Sequence, residues 1–340
     1  MLPENELSSG RDPRSSGGGM NSLFRGLAKK ILGSLIRFLP RVQRSVDSGL
    51  TVFAFHDVSD RPSEFARQFG LVVSTATFER QIRWIKANFA VIHPSAILAN
   101  EPLPKRAAVI TFDDGYLGTF ENGLTILERL GVPSIIFLNM QPILLGTPVL
   151  SAMTCFLDKT DTGFATFCHG AGLKPPFHLS LTPEVWEKYQ RRYGPINLSE
   201  VVEFQGAFVD IETVRRWSSN LLFCYGNHLY EHWNAVALTA EELKNQYLTN
   251  DKVLSDFSAK VNLFAFTNGQ PRTCFSAREV RLLKSLGAGK VFSTTGGVNQ
   301  DVSRFLLGRV ALCEADNDDG RLWFRIGRAI LQDDVGASHE

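Results

Sequence analysis

The sequence predicts an α/β fold with a parallel sheet, and three neighbouring segments carry this prediction. An apolar run at residues 107–112 is typical of a buried strand. The amphipathic stretch at residues 118–130 that follows, closed by Gly131, is typical of a helix. A second apolar run occupies residues 132–138. Strand, helix and strand in this order imply parallel pairing with a right-handed crossover.

The other predicted elements continue this alternation. In chain order they are a strand at 51–55, a helix at 77–88, a short helical piece at 94–98, a helix at 210–218 and a strand at 221–225. Thr77 is the expected N-cap of the second of these elements. Residues 141–206 are less regular, with several Pro and Gly and a helix near 182–192. We interpret this tract as an insertion or lid and not as a separate domain.

Composition narrows the function classes. The 340 residues are 44% apolar and 21% charged, which is ordinary for a globular protein. A net charge of +1 gives no reason to expect nucleic acid as a partner. The five cysteines are an odd count without a close pair, which argues against a disulfide framework or a cysteine-based zinc site. They suggest free thiols in a reducing compartment, so we expect a cytoplasmic protein.

The N-terminal region differs from the rest of the chain. Residues 1–20 are rich in Ser, Gly, Pro and charge and are predicted to be a disordered tail. Residues 21–45 predict an amphipathic basic helix, because apolar side chains recur three and four residues apart. Arg37 interrupts the apolar core that a secretory signal would need, and no other run reaches the roughly 20 apolar residues of a membrane span. The helix either lies at the inner membrane face, as a peripheral contact through residues 21–40, or packs on the domain of residues 46–335.

Two adjacent carboxylates, Asp113 and Asp114, follow the strand at 107–112 directly. Neighbouring side chains on a strand point to opposite faces, so both can serve one site only where the strand ends and the backbone turns. Gly115 allows such a turn without a Cβ penalty. Carboxylates at a strand end need a metal, a cation or water to compensate them. Asp also favours turns and helix caps, so these residues alone leave both interpretations open.

A pair of histidines favours the interpretation of these carboxylates as part of a functional site. His228 and His232 follow the strand at 221–225, and on a starting helix two histidines four residues apart share one face. Both can then reach one metal ion, together with a carboxylate from the Asp113–Asp114 pair. Two imidazoles and one carboxylate leave coordination positions open for water and substrate. This ligand set suits Zn²⁺ or another divalent transition metal.

In combination, these residues resemble one known family. The groups that carry the resemblance are Thr111 to Tyr116, then Gly226-Asn227-His228 with His232, and then Phe264 to Gly269 followed by Phe275-Ser276 and Glu279-Val280. They are similar to the motifs of the polysaccharide deacetylases (carbohydrate esterase family 4). Further stretches resemble a branch with a Tyr-His first strand and an aromatic-Pro-x-Gly third motif, namely Phe55-His56-Asp57, Ser293 to Gly297 and Phe305 to Val310. The resemblance covers residues 50–315.

The resemblance implies a single distorted (β/α)7-type barrel with its site at the C-terminal ends of the strands. It implies a divalent metal ion, with Zn²⁺ the expected one, bound by Asp114, His228 and His232. By the same resemblance Asp113 is the general base, and the backbone N–H of Asn268 stabilises the oxyanion. The implied reaction removes an acyl group, usually acetyl, from the nitrogen of an amino sugar, so the expected partner is a carbohydrate.

The chain also departs from the family pattern. Many members carry an Arg at the start of the third motif that tunes the base, and Ala265 occupies that position here; Thr267 replaces the usual Pro. The late histidine that serves as general acid has no counterpart, since only His339 follows His232. His56 is the best substitute, either as the acid or as a residue that orients Asp113.

Secondary site residues and competing functions complete the expectations. Tyr116 and Asn139 are candidates for substrate contact, although capping explains Asn139 equally well, and His178 is expected at the surface.

The leading hypothesis is a metal-dependent hydrolase of N-acylated sugars in a polysaccharide or glycan precursor. The alternatives are a deformylase of a lipid-linked amino sugar and a non-catalytic carbohydrate-binding protein, the latter suggested by Ala265 and the missing late histidine.

Overall fold

The computed structural model describes residues 18–99 and 102–336. The predicted disordered tail of residues 1–20 therefore lies almost entirely outside the described residues. Two helices occupy the region predicted as one basic helix at 21–45, namely α1 (Gly18–Ile36) and α2 (Pro40–Ser48). Pro40 at the first turn of α2 explains the interruption, because proline starts a helix readily but cannot continue one.

Eleven short strands follow in the described residues. They are β1 (Leu50–Phe55), β2 (Asp57–Val58), β3 (Val72–Val73), β4 (Ala90–Val91), β5 (Ala107–Asp114), β6 (Ser134–Leu138), β7 (Phe223–Asn227), β8 (Lys260–Ala265), β9 (Lys290–Ser293), β10 (Leu306–Gly308) and β11 (Val310–Ala311). Strand β5 extends two residues beyond the prediction, so both Asp113 and Asp114 belong to it.

The helices after α2 cover the strands and build the insertion. They are α3 (Glu64–Gln68), α4 (Thr75–Asn88), α5 (Leu124–Leu130), α6 (Met140–Leu145), α7 (Leu150–Thr160), α8 (Thr162–Gly170), α9 (Phe177–Ser180), α10 (Pro183–Tyr193), α11 (Leu198–Gln205), α12 (Ile211–Trp217), α13 (Ala240–Leu254), α14 (Ala277–Ser285) and α15 (Asp319–Gly336). Single turns lie at Pro94–Leu98, Thr119–Gly123 and Ala235–Ala237. The N-cap of α4 is Ser74 and not Thr77, because the Ser74 hydroxyl accepts from the Thr77 N–H.

The main sheet is parallel throughout and runs in the order β10-β9-β8-β7-β6-β5-β1-β11, with β4 added beside β5. Its two outermost strands belong to one segment: β10 pairs with β9, and β11 pairs with β1. Only Arg309 separates these two strands in the chain. This interrupted strand therefore pairs with both ends of the sheet and closes it into a barrel with seven strand positions. The predicted fold class is confirmed.

Alternation along β5 assigns its side chains to two sides of the sheet. Val109 packs in one apolar cluster with Phe137, Leu263 and Leu307 of other strands, inside the barrel. Phe112 belongs to the larger cluster between sheet and helices. Asp113 has the same parity as Val109, so it points into the barrel at the strand's C-terminal end.

The N-terminal helix packs on the C-terminal one, since α1 and α15 make the most extensive helix pair of the fold. Helices α6 to α11 fill the predicted insertion, and α7 packs on α8, α9 and α11, while α11 also contacts α3. Within the part of the chain that the structure describes, no helix is both long and apolar enough to cross a membrane.

Candidate active site

Backbone geometry at the end of β5 brings two neighbouring carboxylates into one site. Asp114 has φ +72° and Gly115 has φ +103°, both in the left-handed region that is unusual for a residue with a Cβ. Asp113 still follows the strand and faces the barrel interior. The turn at Asp114 redirects the second carboxylate towards the same edge of the barrel. Both side chains are buried, at 2% and 6% exposure.

Asp113 is compensated by an arginine from the far end of the chain. The Arg309 guanidinium donates to both carboxylate oxygens, over 2.6 Å from Nη1 to Oδ1 and 2.7 Å from Nη2 to Oδ2. Arg309 has 0% exposure, so this is a desolvated, two-pronged ion pair. Burial by itself would raise the pKa of Asp113, but Arg309, together with His228 and His56, outweighs it and holds that pKa below its usual value. The carboxylate is therefore ionised at neutral pH.

The structure thus supplies the cation that the third motif lacks. Ala265 is fully buried at the end of β8 and supplies no charge of its own. Arg309 reaches the same carboxylate from the break between β10 and β11, where it also lies 3.3 Å from the Thr111 hydroxyl. Arg309 therefore accounts for the setting of the Asp113 pKa, which the sequence left unexplained because Ala265 replaces the usual Arg. The break in the last strand turns Arg309 inward, and the motif position alone could not indicate that.

Asp114 and the two histidines form the second half of the site. Asp114 Oδ1 lies 3.4 Å from His228 Nε2 and 3.1 Å from His232 Nε2. All three ligand atoms lie within 4.8 Å of one another, and all three residues are buried. The predicted metal ligands are therefore brought together as expected.

The local backbone of the histidine pair differs from the prediction. Residues 228–234 form a loop and not the start of a helix. Leu229 and His232 have φ values of +63° and +61°. Two left-handed residues tighten the loop enough to bring both imidazoles together, so the shared helical face that we expected is not the cause. Non-glycine residues rarely adopt this conformation, which is why the sequence gave no sign of it.

Asn139 holds this loop from behind. Its side-chain amide donates to the carbonyl oxygens of His228 and Leu229, the latter over 2.9 Å, and the residue is fully buried. It does not line the cavity described below. The structure therefore gives Asn139 a supporting position and not the substrate contact that was one of its two expected roles.

The donor set fits a metal ion. His228 Nδ1 lies 2.7 Å from the Ala265 carbonyl oxygen and donates to it, which leaves the lone pair on Nε2 facing Asp114. Despite the short contacts, Asp114 Oδ1 has no hydrogen-bond partner among the described residues. Lone pairs thus converge where a shared cation would satisfy them. Burial would lower the pKa of His228, but Asp113 and Asp114 outweigh it and raise that pKa, so the site attracts positive charge.

His56 lies on the other side of Asp113. Its Nε2 is 3.8 Å from Asp113 Oδ2, and its side chain retains 23% exposure. Burial lowers the pKa of His56 against the opposing pull of Asp113 and Asp114, so its resting imidazole is neutral. The structure thus brings His56 into the site, as expected from its place after β1.

These groups line one cavity of about 450 Å³. Tyr116 and Asn268 line it as well, and Asn268 has a left-handed φ of +58°. The insertion and the segment around α3 supply a further part of the lining. It includes the apolar side chains Phe65, Phe69, Leu71, Val149, Phe177 and Leu179 and, from α7, polar ones such as Thr154 and Asp158. The insertion therefore forms part of the candidate site.

His178 is the site residue that sequence reasoning missed. We expected it at the surface, but it lies in α9, lines the cavity and has its Nδ1 3.6 Å from Cys155 Sγ. Burial lowers the pKa of His178 to about 4, with a smaller contribution from His232. Nothing in the local sequence distinguishes this histidine from His169, which is exposed. Only the packing of α9 on α7 brings it to the cavity.

Comparisons with known proteins agree with this geometry. No family model matches the chain. One curated relative, the poly-β-1,6-N-acetyl-D-glucosamine N-deacetylase of Escherichia coli K12, is 31% identical over 94 residues, which are 26% of this chain and 13% of that protein. The chain thus aligns with only a small part of that relative.

Solved structures extend the likeness to most of the chain. The de-N-acetylase from Aggregatibacter actinomycetemcomitans is 17% identical, with a TM-score of 0.54 over 82% of this chain and 99% of that one. IcaB from Ammonifex degensii is 16% identical, with a TM-score of 0.53 over 82% and 97%. The deacetylase PplD of Streptococcus pyogenes, solved with acetate, is 10% identical, with a TM-score of 0.55 over 81% and 97%. The chain therefore has the fold of the solved polysaccharide deacetylases.

Proposed function

We propose that this protein is a metal-dependent hydrolase that removes an N-acyl group, acetyl above all, from an amino sugar. The observation that carries the proposal is that two adjacent aspartates in one cavity have different partners. Asp113 is held ionised by Arg309, and Asp114 converges with two imidazoles. The fold and the partial sequence likeness to N-deacetylases support the same activity. We further propose membership of the polysaccharide deacetylase branch with a Tyr-His first strand.

Asp114, His228 and His232 would hold the metal, and Zn²⁺ suits one carboxylate with two imidazoles. When bound, such an ion supplies Lewis-acid chemistry, making water more acidic and polarising an acyl carbonyl. The Ala265 carbonyl fixes the tautomer of His228, and Asn139 fixes the loop that carries it. These contacts would preorganise the ligands before any substrate arrives.

Asp113 is the proposed general base. It is buried and ionised, so it can accept a proton from the attacking water. His56 is the proposed donor to the leaving amine: its resting imidazole is neutral, so it would first take up the proton that Asp113, which lies beside it, accepts from the water. The backbone N–H of Asn268 is the proposed donor to the oxyanion. Tyr116 is a proposed substrate contact, because its buried hydroxyl lines the cavity and has no hydrogen-bond partner among the described residues.

The alternative of a non-catalytic carbohydrate-binding protein loses its main support. It was suggested partly by Ala265, where the base lacked its usual cation. Arg309 now provides that cation through two short hydrogen bonds. A protein that only binds sugar has no need to keep a buried carboxylate ionised beside a metal site.

A lipid-linked amino sugar is a second candidate substrate, either deacylated or deformylated. The observation that favours it is the apolar part of the lining at α9 and at the end of α3, including Phe69, Phe177 and Leu179. Sugar rings alone need polar partners over most of their surface, whereas a lipid or acyl portion would bury apolar area there.

The test is product analysis by mass spectrometry on a panel of N-acetylated oligosaccharides and lipid-linked N-acetyl or N-formyl sugars. We expect a mass loss of one acyl group on at least one member, abolished by chelation and by Asp113→Asn. The matched control is Asp256→Asn, which makes the same change at an exposed carboxylate outside the cavity lining and should leave activity unchanged. If metal-loaded protein releases no acyl group from any member, and Asp113→Asn behaves like the unchanged protein, the proposal fails.

A further inference from the structure

Among its described side chains, helix α1 contacts α15 through Gly33 and Ile36, opposite two glycines of α15. A Cβ placed on Gly33 would lie 1.7 Å from the carbonyl oxygen of Gly320 in α15. A Cβ on Gly320 would lie 2.3 Å from the Lys30 carbonyl oxygen, and one on Gly327 would lie 2.1 Å from Ile36 Cγ2. The two backbones are therefore in direct contact, which fixes the rotation of α1 about its axis.

This seating leaves the apolar stripe of α1 outside. Leu27, Ile31 and Leu35 recur four residues apart and are 53%, 54% and 63% exposed. Phe38 continues the line at 67% exposure, and Leu32 borders it at 47%. Because residues three and four apart share one face of a helix, these side chains form one continuous surface, which we call the α1 stripe. A helix that served only to cover the fold would bury this face.

Basic residues surround the α1 stripe. From residue 18 to residue 46 the sequence contains six basic residues and no acidic one. Lys29 and Lys30 lie on α1 itself and are exposed, and Arg44 is exposed on α2. Such a surface is complementary to a membrane interface, where the apolar side chains would contact acyl chains and the basic side chains would contact anionic headgroups.

We propose that the α1 stripe docks this protein on the surface of an anionic lipid bilayer, with α1 lying in the plane of the interface. A second copy of the chain is the competing occupant. In a two-fold dimer the same patch would face itself and oppose like charges, which disfavours that occupant. The proposal is independent of the proposed hydrolase activity, because it uses no residue of the cavity.

The test is vesicle flotation of the full-length protein. We expect binding to vesicles of phosphatidylglycerol and phosphatidylcholine, weakened by salt, and binding at least about tenfold weaker to phosphatidylcholine alone. The double change Leu35→Asp and Phe38→Asp should weaken binding about a hundredfold, since each large apolar side chain contributes at least tenfold when buried. The double change Lys29→Glu and Lys30→Glu should abolish the preference for the anionic vesicles.

The matched control is Leu221→Asp, because Leu221 is 92% exposed and distant in sequence from α1. It should bind vesicles as the unchanged protein does, and all variants should keep the same circular dichroism spectrum. The proposal is overturned if the unchanged protein does not float with anionic vesicles, or if the Leu35/Phe38 variant floats equally well. It is also overturned if sedimentation reveals a dimer that this variant dissociates while neither protein binds vesicles; the second copy is then the occupant.

Discussion

Asp113 and Asp114 are neighbours in the chain, but their surroundings neutralise them in different ways. Asp113 has a permanent cation from the protein, Arg309, at 2.6 and 2.7 Å. Asp114 faces only the Nε2 atoms of two histidines, at 3.1 and 3.4 Å. The first carboxylate has its cation within the chain, whereas Asp114 Oδ1 has no hydrogen-bond partner among the described residues.

This difference fits the two chemical roles that we propose for these neighbouring residues. A group that must accept and release a proton needs a constant charge environment, which an arginine provides because it never deprotonates. A group that binds a metal must remain free to coordinate. The left-handed turn at Asp114 is what keeps the two environments apart over a single peptide bond.

The largest expected effect distinguishes turnover from metal content. Asp113→Asn should lower kcat about 10²–10⁴-fold while metal stays bound, because only the proton acceptor is lost. Asp114→Ala and His228→Ala should lose both metal and turnover. Metal content by atomic emission and release of acetyl from a chromogenic ester check this. Loss of metal in Asp113→Asn with retention in Asp114→Ala would mean that the two roles are exchanged.

The next effect concerns stability. Arg309→Met should destabilise the fold by about 3–5 kcal/mol, because it leaves a buried carboxylate without its cation. Combining it with Asp113→Asn should recover part of that loss, since both charges are then removed. Urea denaturation of the two variants measures the difference. Equal destabilisation by the single and double changes would contradict a direct ion-pair contribution.

Removing the metal should change fold stability only through the residues grouped around Asp114. At a metal concentration a thousand times the dissociation constant, binding should stabilise the fold by about 4 kcal/mol, so chelation should lower the melting temperature. His228→Ala should show no difference with and without chelator, and Arg309→Lys should still show it. A chelation-dependent shift that survives in His228→Ala would place the metal elsewhere.

The smallest expected effect concerns a third carboxylate, that of Asp57. Asp57 is buried, its Oδ1 has no hydrogen-bond partner among the described residues, and burial raises its pKa from 3.8 to about 6. The folded state then holds a proton that the unfolded state has released, so stability should fall by about 1–2 kcal/mol as pH rises from about 5 to about 8. Asp57→Asn should flatten this slope. Thermal unfolding across that range would show whether the two proteins differ; parallel curves would contradict the raised pKa.

The sequence predicted that Asp113, Asp114, His228 and His232 meet at one site, because the motifs fix residue types and order. It could not predict Arg309 as the partner of Asp113, because that role depends on how the last strand breaks between β10 and β11. The loop at Leu229 and His232 escaped prediction for a related reason. Left-handed residues with side chains are imposed by tertiary contacts, here the amide of Asn139, and not by local preference.

A parallel α/β sheet was predictable from the alternation of strands and helices, and its closure into a barrel from the family resemblance, whereas the internal packing of the insertion was not predictable. Residues 141–206 lack the regular alternation of strands and helices, and their helices are held by contacts with α3 and with one another. His178 and Cys155 reach the cavity only through that packing. The predicted division of the chain into a tail, a basic helix and a barrel with an insertion stays a prediction.

The position of Arg309 has a consequence for biosynthesis. Asp113 emerges from the ribosome almost two hundred residues before its partner, since 196 positions separate them. Until the last strand is made, a nascent barrel would have to bury an unpaired negative charge, which is unfavourable. A chain truncated before residue 309 would therefore lack both the strand that closes the barrel and the cation that pairs with Asp113.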